Sequence, residues 1–213
     1  MRAPSLLPPR GGGLSPEGFR DWSLAFERPL GRSFYARPTA RVARDLLGCR
    51  LVRRPSRGDG AWRVGRIVET EAYVAGDPAN HASRGKTERN RSMFLGPGHV
   101  YVYRIHQVHC ANLTTARGQA VLLRALEPLT PLLAEPRGPG LLCRAFGLDR
   151  VHDGLDAVEG ELRVLPREGP PVTVARVPRV GIRLAADRPL RFLDARSEWV
   201  SRRPASLRGK ARG

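Results

Sequence analysis

The apolar positions of this chain fall in short runs separated by Gly- and Pro-bearing breaks, a pattern that predicts many strands and few helices. One early stretch has helical spacing. Val42, Leu46 and Leu47 form a single stripe, Pro38 stands at its start and Gly48 as its C-cap, so a helix is predicted between them. A strand over 49–53, a Gly/Asp turn and a second strand over 62–73 then read as a hairpin. Residues 76–98 are polar and broken by Gly76, Pro78, Gly85, Gly96, Pro97 and Gly98. This is a long loop with room for one short helix, and long loops in compact domains tend to be functional. Strand-like runs follow over 99–105, 108–113 and 119–126. A Pro-rich connector covers 128–139, and a helix over 141–146 stops at Gly147. Short strands are predicted over 162–165, 172–177, 179–184 and 190–193.

One strand breaks the pattern. Ile67 and Val68 open it as a buried strand would, yet Glu69 and Glu71 follow before Tyr73 closes it. Burying an unpaired carboxylate is expensive, so acids inside a strand need a reason. Alternation puts Glu69, Glu71 and Tyr73 on one face, with Thr70 and Ala72 on the other. Two acids and an aromatic ring on one face suit the wall of a cleft. Taken alone, Glu71 could equally be a solvated strand-edge acid, and Tyr73 a core aromatic.

Composition narrows the class. The chain has 213 residues, the size of one domain with tails, and 41% of them are hydrophobic, enough for one core. Its formal net charge is +17, from 37 Lys and Arg against 20 Asp and Glu, which points to a polyanionic partner, most often nucleic acid. Only Lys86 and Lys210 are lysines; arginine suits bidentate phosphate contact, although a GC-rich genome gives the same bias. Cys49, Cys110 and Cys143 are far apart, without the spacing of a zinc site or a disulfide framework, and their odd number fits a reducing cytoplasm. The sequence carries no apolar run near membrane-span length and no secretory signal, so no membrane partner is expected. Residues 1–20 read as a flexible tail with order beginning near Trp22, a single domain covers 21–203, and 204–213 form a basic C-terminal tail.

The motifs are more specific than the composition. Arg66-Ile-Val-Glu-Thr-Glu-Ala-Tyr73, Asp77-Pro-Ala-Asn-His-Ala82, Arg89-Asn-Arg-Ser-Met-Phe94, Gly98-His-Val-Tyr-Val-Tyr103, Asn112 and Val121-Leu-Leu-Arg-Ala-Leu-Glu-Pro-Leu129 occur in this order. Arg179-Val-Gly-Ile-Arg183 and Pro189-Leu-Arg-Phe192 follow. The set resembles the alkyladenine (3-methyladenine) DNA glycosylases over roughly residues 30–203. The resemblance implies an α+β fold, a single mixed domain with a curved antiparallel β-sheet flanked by helices. It implies a monofunctional glycosylase of DNA repair that flips an alkylated purine out of double-stranded DNA and hydrolyses its N-glycosidic bond. The partner is then duplex DNA containing damaged purines, the protein a monomer on the bacterial nucleoid in the cytoplasm, and no metal or cofactor is expected.

The resemblance also assigns roles. Glu71 becomes the general base that activates water for attack at C1′ and steadies an oxocarbenium-like transition state. Arg124, which as an interior arginine needs an anionic partner, helps hold the water or a phosphate; a salt bridge to Glu69 or Glu127 is the plainer alternative. Glu69 reads as a structural or ion-paired partner. Tyr73, His81 and Tyr103 hold the flipped base, worth roughly 1–3 kcal/mol per stacked base, and favour cationic purines. The His81 position also reads the base edge through its backbone amide. Asn112 crowds the pocket against the exocyclic amino group of guanine. Arg84, Lys86, Arg89 and Arg91 are candidate phosphate contacts, or simply a solvated charged loop.

Two departures from the family pattern matter. The inserting tyrosine that family members carry after the Tyr-Val-Tyr strand is replaced here by His106, with Ile105 beside it as the alternative wedge. Gly138-Pro-Gly-Leu141 comes early and has no lysine, which removes one DNA contact. Two rival functions use the same fold: a basic nucleic-acid-binding protein without catalysis, and a domain like the C-terminal part of formyltransferases, which would not need Glu71, Tyr73, His81 and Asn112 together.

Overall fold

The computed structural model describes residues 28–54 and 62–205. The tail expected over 1–20, Trp22, the Gly/Asp turn of the first hairpin and the basic end from residue 206 lie outside the described residues.

Strand β2 (Arg63–Tyr73) is the spine. On one edge it pairs with β5 (Ala120–Pro128) along nearly its whole length. On the other edge its first residues pair with β1 (Arg50–Arg53), and Glu69, Thr70 and Glu71 pair with β8 (Arg191–Asp194). Beyond β5 lie β4 (Val108–Thr114) and β3 (Val100–Ile105), beyond β1 lies β6 (Leu162–Leu165), and β7 (Val174–Val177) adds to β8. Every pairing is antiparallel, so the described strands form one antiparallel sheet.

The register assigns the two faces. One transverse row runs Ala72, Val121, Leu113, Val100 across four neighbouring strands, and all four are wholly buried in the main apolar core. The adjacent row runs Glu71, Leu122, Asn112, Tyr101. Neighbouring residues on a strand point to opposite faces, so this second row faces away from the core. Helices cover the first face only. The one-turn α1 (Arg32–Tyr35) leads into α2 (Thr39–Asp45), whose Ala43 carbonyl accepts the buried Thr70 hydroxyl at 2.7 Å. The third helix, α3 (Pro139–Phe146), ends on Gly147 in the left-handed conformation and buries Leu142, Cys143, Ala145 and Phe146 in the same core. Long connections cover the second face, including a 3-10 turn (Glu88–Phe94) opened by a Thr87 capping box.

The expected helices and most expected strands are present, with ends shifted by a residue or two; the strand expected over 172–177 begins at Val174. The helix after Pro38 stops at Asp45, with Val42, Leu46 and Leu47 all wholly buried as a stripe requires. One expected strand is absent. Residues 179–184 form a loop, because the Val180 N–H donates to a side chain instead of to a strand, and the positive φ of Gly181 and Ala185 breaks extended geometry. Among the described residues no helix is long and apolar enough to cross a membrane.

The two-face assignment has a direct test on neighbouring leucines. Leu123 lies in the core and Leu122 lines the cavity on the other face. Leu123→Ala should cost about 2–5 kcal/mol, as buried Leu truncations do, and Leu122→Ala clearly less because it opens into existing space. Denaturant unfolding of both variants measures the difference, and equal losses would refute it.

Candidate active site

The face turned away from the helices walls a cavity of about 340 Å³. Strands contribute Tyr73, Tyr101, Tyr103, Ile105, Cys110, Asn112, Ala120, Leu122 and Arg124 in positions fixed by the register above. The long loop closes it with Ala79, Asn80, His81 and Met93, and the later loop with Val180, Gly181 and Ile182.

Glu71 is wholly buried and is not itself in the lining; it stands behind Tyr73, Arg124 and Val180, which are. Three donors meet its carboxylate. The Tyr73 hydroxyl donates to Oε2 at 3.0 Å, the Val180 N–H donates to Oε1 at 2.8 Å, and Arg124 Nη1 stands 3.3 Å from Oε1. Burial, reinforced by Glu71, pushes the Tyr73 phenol well above its usual range, so it stays a donor. Arg124 sits where the β2–β5 register slips: Glu69 pairs with Ala125 and Thr70 with Leu123, which leaves Arg124 outside the ladder. Such a bulge re-aims a side chain, and here the guanidinium spans Glu69 (Nε, 3.0 Å) and Glu71. Burial opposes its charge, but Glu71 and Glu69 outweigh that and hold its pKa above the usual arginine value. Arg124 therefore pairs with Glu69, the plainer expectation, and reaches Glu71 as well; Glu127 pairs with Arg66 instead.

The aromatic residues divide into two groups. His81 and Tyr103 meet edge to face with centroids 4.4 Å apart, which leaves no space for a third ring between them. His81 Nδ1 is 3.1 Å from the Tyr101 hydroxyl, and Tyr101 lies beside Tyr103 at 5.6 Å. These three form one wall. Tyr73 lines the same cavity from β2 without a ring contact to them among the described residues, and the Arg179 guanidinium lies 4.7 Å over its ring. Partial burial, helped by Arg89, lowers the His81 pKa below the usual 6.5, which favours the neutral imidazole. No hydrogen bond among the described residues uses the His81 backbone N–H, which leaves it open to a ligand. Asn112 commits its amide nitrogen to the Tyr101 carbonyl at 3.0 Å, so it offers the cavity its oxygen.

The other expected residues lie around this centre. His106 and Gln107, with φ of 44° and 70°, make the two-residue turn of the β3–β4 hairpin. Ile105, just before the turn, is 44% exposed and reaches the cavity lining, which His106 does not. Arg84, Lys86, Arg89 and Arg91 are all exposed on the loop, and Arg89 donates to the Arg104 carbonyl of the hairpin at 3.1 Å. Leu141, where the lysine is missing, is an exposed residue of α3.

Sequence reasoning gave no role to Tyr101, Asp77, Arg179, Val180, Arg191 or Ser201. Asp77 and Arg179 form a wholly buried ion pair with two hydrogen bonds, one at 3.0 Å, and Arg179 also donates to the Ala72 carbonyl at 3.1 Å. This pair ties the loop carrying Val180 to the loop carrying His81. Both residues stood inside recognisable motifs, but no local pattern links positions 102 apart. A carboxylate with an arginine beside it at an aromatic cavity can take a proton from water and stabilise positive charge on a bound ring.

Comparison with known proteins gives a consistent result. The family model for methylpurine-DNA glycosylase matches residues 33–198. A protein of Methanoculleus marisnigri named "Putative 3-methyladenine DNA glycosylase" is 45% identical over 194 residues, covering 82% of this chain and 99% of its own. Proteins of the same name from Synechococcus elongatus (47% identical, 79% of this chain and 88% of the other) and Rhodopirellula baltica (40%, 85% and 85%) are similar over most of their length.

The Asp77–Arg179 pair should matter out of proportion to its distance from Glu71. Asp77→Ala strands a buried guanidinium and should destabilise the fold by about 3–5 kcal/mol. Arg179→Met, which removes the charge and keeps much of the bulk, should be milder on Asp77→Ala than on the parent. Thermal or denaturant unfolding of the two singles and the double measures that coupling; additive losses would count against it.

Proposed function

The chain belongs to the methylpurine-DNA glycosylase family, and from that premise we propose how it works as a repair enzyme that removes alkylated purines of the 3-methyladenine type from DNA. The carrying observation is Glu71, a buried carboxylate met by Tyr73, Val180 and Arg124, three residues that line an aromatic cavity of about 340 Å³.

A base stacked in a duplex is out of reach of any buried carboxylate, so the nucleotide must rotate into the cavity, at an unstacking cost of a few kcal/mol. The cavity returns part of it. The tyrosines and His81 offer π faces, worth roughly 1–3 kcal/mol per stacked base. An alkylated purine carries positive charge, which strengthens contact with these faces. The neutral His81 adds no repulsion to that charge, and its free N–H can meet an acceptor on the base edge. Asn112 narrows the floor beside Leu122 and rejects a purine with an extra amino group.

Glu71 then acts as general base on a water aimed at C1′, and its charge stabilises the oxocarbenium-like transition state. Among its contacts Arg124 is the loosest, at 3.3 Å, so the water enters on that side. Contacts of this kind tighten only when substrate is in place. The cationic base leaves readily, and the mechanism needs no group beyond the protein. The partner in this scheme is double-stranded DNA with a damaged purine, engaged by a monomer on the bacterial nucleoid. Arg84, Lys86, Arg89 and Arg91 contact phosphates, and the tip of the β3–β4 hairpin fills the gap left by the flipped nucleotide. Ile105 faces the cavity and His106 extends the tip.

Two measurements test this. Glu71→Gln should slow single-turnover release of 3-methyladenine from a duplex by about 10²–10⁴-fold, the range of general-base catalysis, while lesion binding persists. Ordinary turnover by that variant would sink the base assignment, and binding without release by the parent would favour a non-catalytic binder. Ile105→Ala and His106→Ala should each weaken affinity for a lesion duplex by about tenfold, or ~1.4 kcal/mol, with little change on a single strand. Equal effects on both substrates would remove the hairpin tip from the wedge role.

A further inference from the structure

Glu69 stands two residues before the proposed base, on the same face of β2, and is equally buried. The scheme above gives it no chemistry, yet four donors converge on it. Oε1 accepts from Arg124 Nε at 3.0 Å, Arg191 Nε at 2.7 Å and the Ser201 hydroxyl at 2.9 Å. Oε2 accepts from the Ser201 N–H at 2.6 Å.

We infer that Glu69 is a positioning residue: it holds Arg124 and Arg191 toward itself, so that neither closes on Glu71 and blocks the oxygen that must receive a proton from water. This rests on Glu71 being the base. An arginine and a carboxylate left alone prefer the bidentate fork, with two parallel N–H bonds. Arg124 does not make that fork with Glu71; Glu69 claims its Nε, and only Nη1 approaches Glu71. Arg191 is the cross-strand partner of Glu71 on β8, the position from which a side chain most easily reaches it. Its Nε is taken by Glu69, and its Nη2 donates to the Arg202 carbonyl.

The fixed point of the arrangement comes from the C-terminal segment. Ser201 binds both carboxylate oxygens of Glu69, one through the main chain and one through its hydroxyl, and so sets the plane of the carboxylate. Arg202 anchors the far end of Arg191. Two residues that come 132 and 133 positions after Glu69 thereby help to fix the geometry around Glu71. Removing the charge of Glu69 leaves Arg124 and Arg191 with Glu71 as the carboxylate on the same face, and the Nε of each is released to turn toward it.

The test separates positioning from bulk stability. Single-turnover base release and affinity for the lesion duplex are measured for Glu69→Gln, Glu69→Asp, Ser201→Ala, Arg124→Ala and the Glu69→Gln/Arg124→Ala double, beside Glu71→Gln. Glu69→Gln should slow release by up to about a hundredfold, the scale of a 1 Å misplacement, with affinity unchanged. Glu69→Asp, which restores the charge, should recover part of the rate. Ser201→Ala should lose about three- to tenfold, the scale of one hydrogen bond. The double should be slowed by less than the product of the two single losses, because one of the two guanidiniums that Glu69 restrains is gone. Additive losses in the double, or rate and affinity falling together, overturn the inference. So does a normal rate in Glu69→Gln while Glu71→Gln is inactive. If Glu69→Gln does not fold, Ser201→Ala decides, and a rate within about twofold of the parent overturns it. Normal turnover by Glu71→Gln would instead remove the base assignment, and this inference with it.

Discussion

Two carboxylates buried two residues apart on one strand set the terms for the rest of this molecule. An isolated ionised carboxylate in a protein interior carries a penalty that only charge pairing and full hydrogen bonding can offset. Glu69 and Glu71 meet it by drawing in elements that are distant in sequence. Strand β5 gives Arg124 through a register slip, β8 gives Arg191, the 178–182 loop gives the Val180 N–H, and the C-terminal segment gives Ser201. With Asp77 and Arg179 added, three buried acids face three buried guanidiniums. Such pairs add little net stability, but they tolerate few alternative arrangements. Stability comes from the other face of the sheet, where α2 and α3 cover an unbroken apolar core.

This division between faces was legible in the sequence because alternation is a local signal. The order Glu69, Glu71, Tyr73 on one side and Thr70, Ala72 on the other needs only the strand period. The helices were legible for the same reason, through Val42, Leu46, Leu47 and the stop at Gly147. Long-range partners left no such trace. Arg179 looked like the start of a strand, since Val180 and Ile182 alternate with smaller or polar neighbours. In the structure it stands at the start of a loop whose backbone serves Glu71 and whose arginine serves Asp77. Ser201 falls inside the expected domain, close to its C-terminal bound, and no local pattern links it to Glu69. The charge was likewise legible only as a total. Arg50, Arg53, Arg63, Arg124, Arg179 and Arg191 are buried, so part of the excess that suggests a polyanion is engaged inside the protein.

The cavity explains why motif residues that look unremarkable singly become informative as a set. Tyr73 alone is a strand-end aromatic and His81 alone a polar-loop histidine. The fold places them around one space because β2 delivers Tyr73 beside Glu71, while the Asn80 amide ties the long loop to the Val74 and Gly118 carbonyls at 3.0 and 2.9 Å. That tether brings His81 onto Tyr103, and the edge-to-face contact makes the pair a wall instead of a slot. A base entering the cavity therefore meets a preformed surface on the His81 side, which reduces the ordering cost of binding.

In the free protein the carboxylate oxygens of Glu71 are already engaged, and this bears on how an enzyme could carry a base in its interior without wasting it. Bulk water has no route to Glu71 while its side chain is wholly buried behind Tyr73, Val180 and Arg124. The tyrosine and the backbone donor come from elements anchored elsewhere, Tyr73 by the sheet and Val180 by the neighbouring Arg179–Asp77 pair. Arg124 stands 3.3 Å from Glu71, the longest of the three contacts, and its guanidinium keeps Glu69 as a partner if that contact lengthens. In the proposed mechanism a sugar and its attacking water enter on that side of Glu71, between the carboxylate and the arginine. Activation of water, as proposed, then depends on occupancy of the cavity. On that proposal a basic protein meets undamaged DNA with its carboxylate still sequestered.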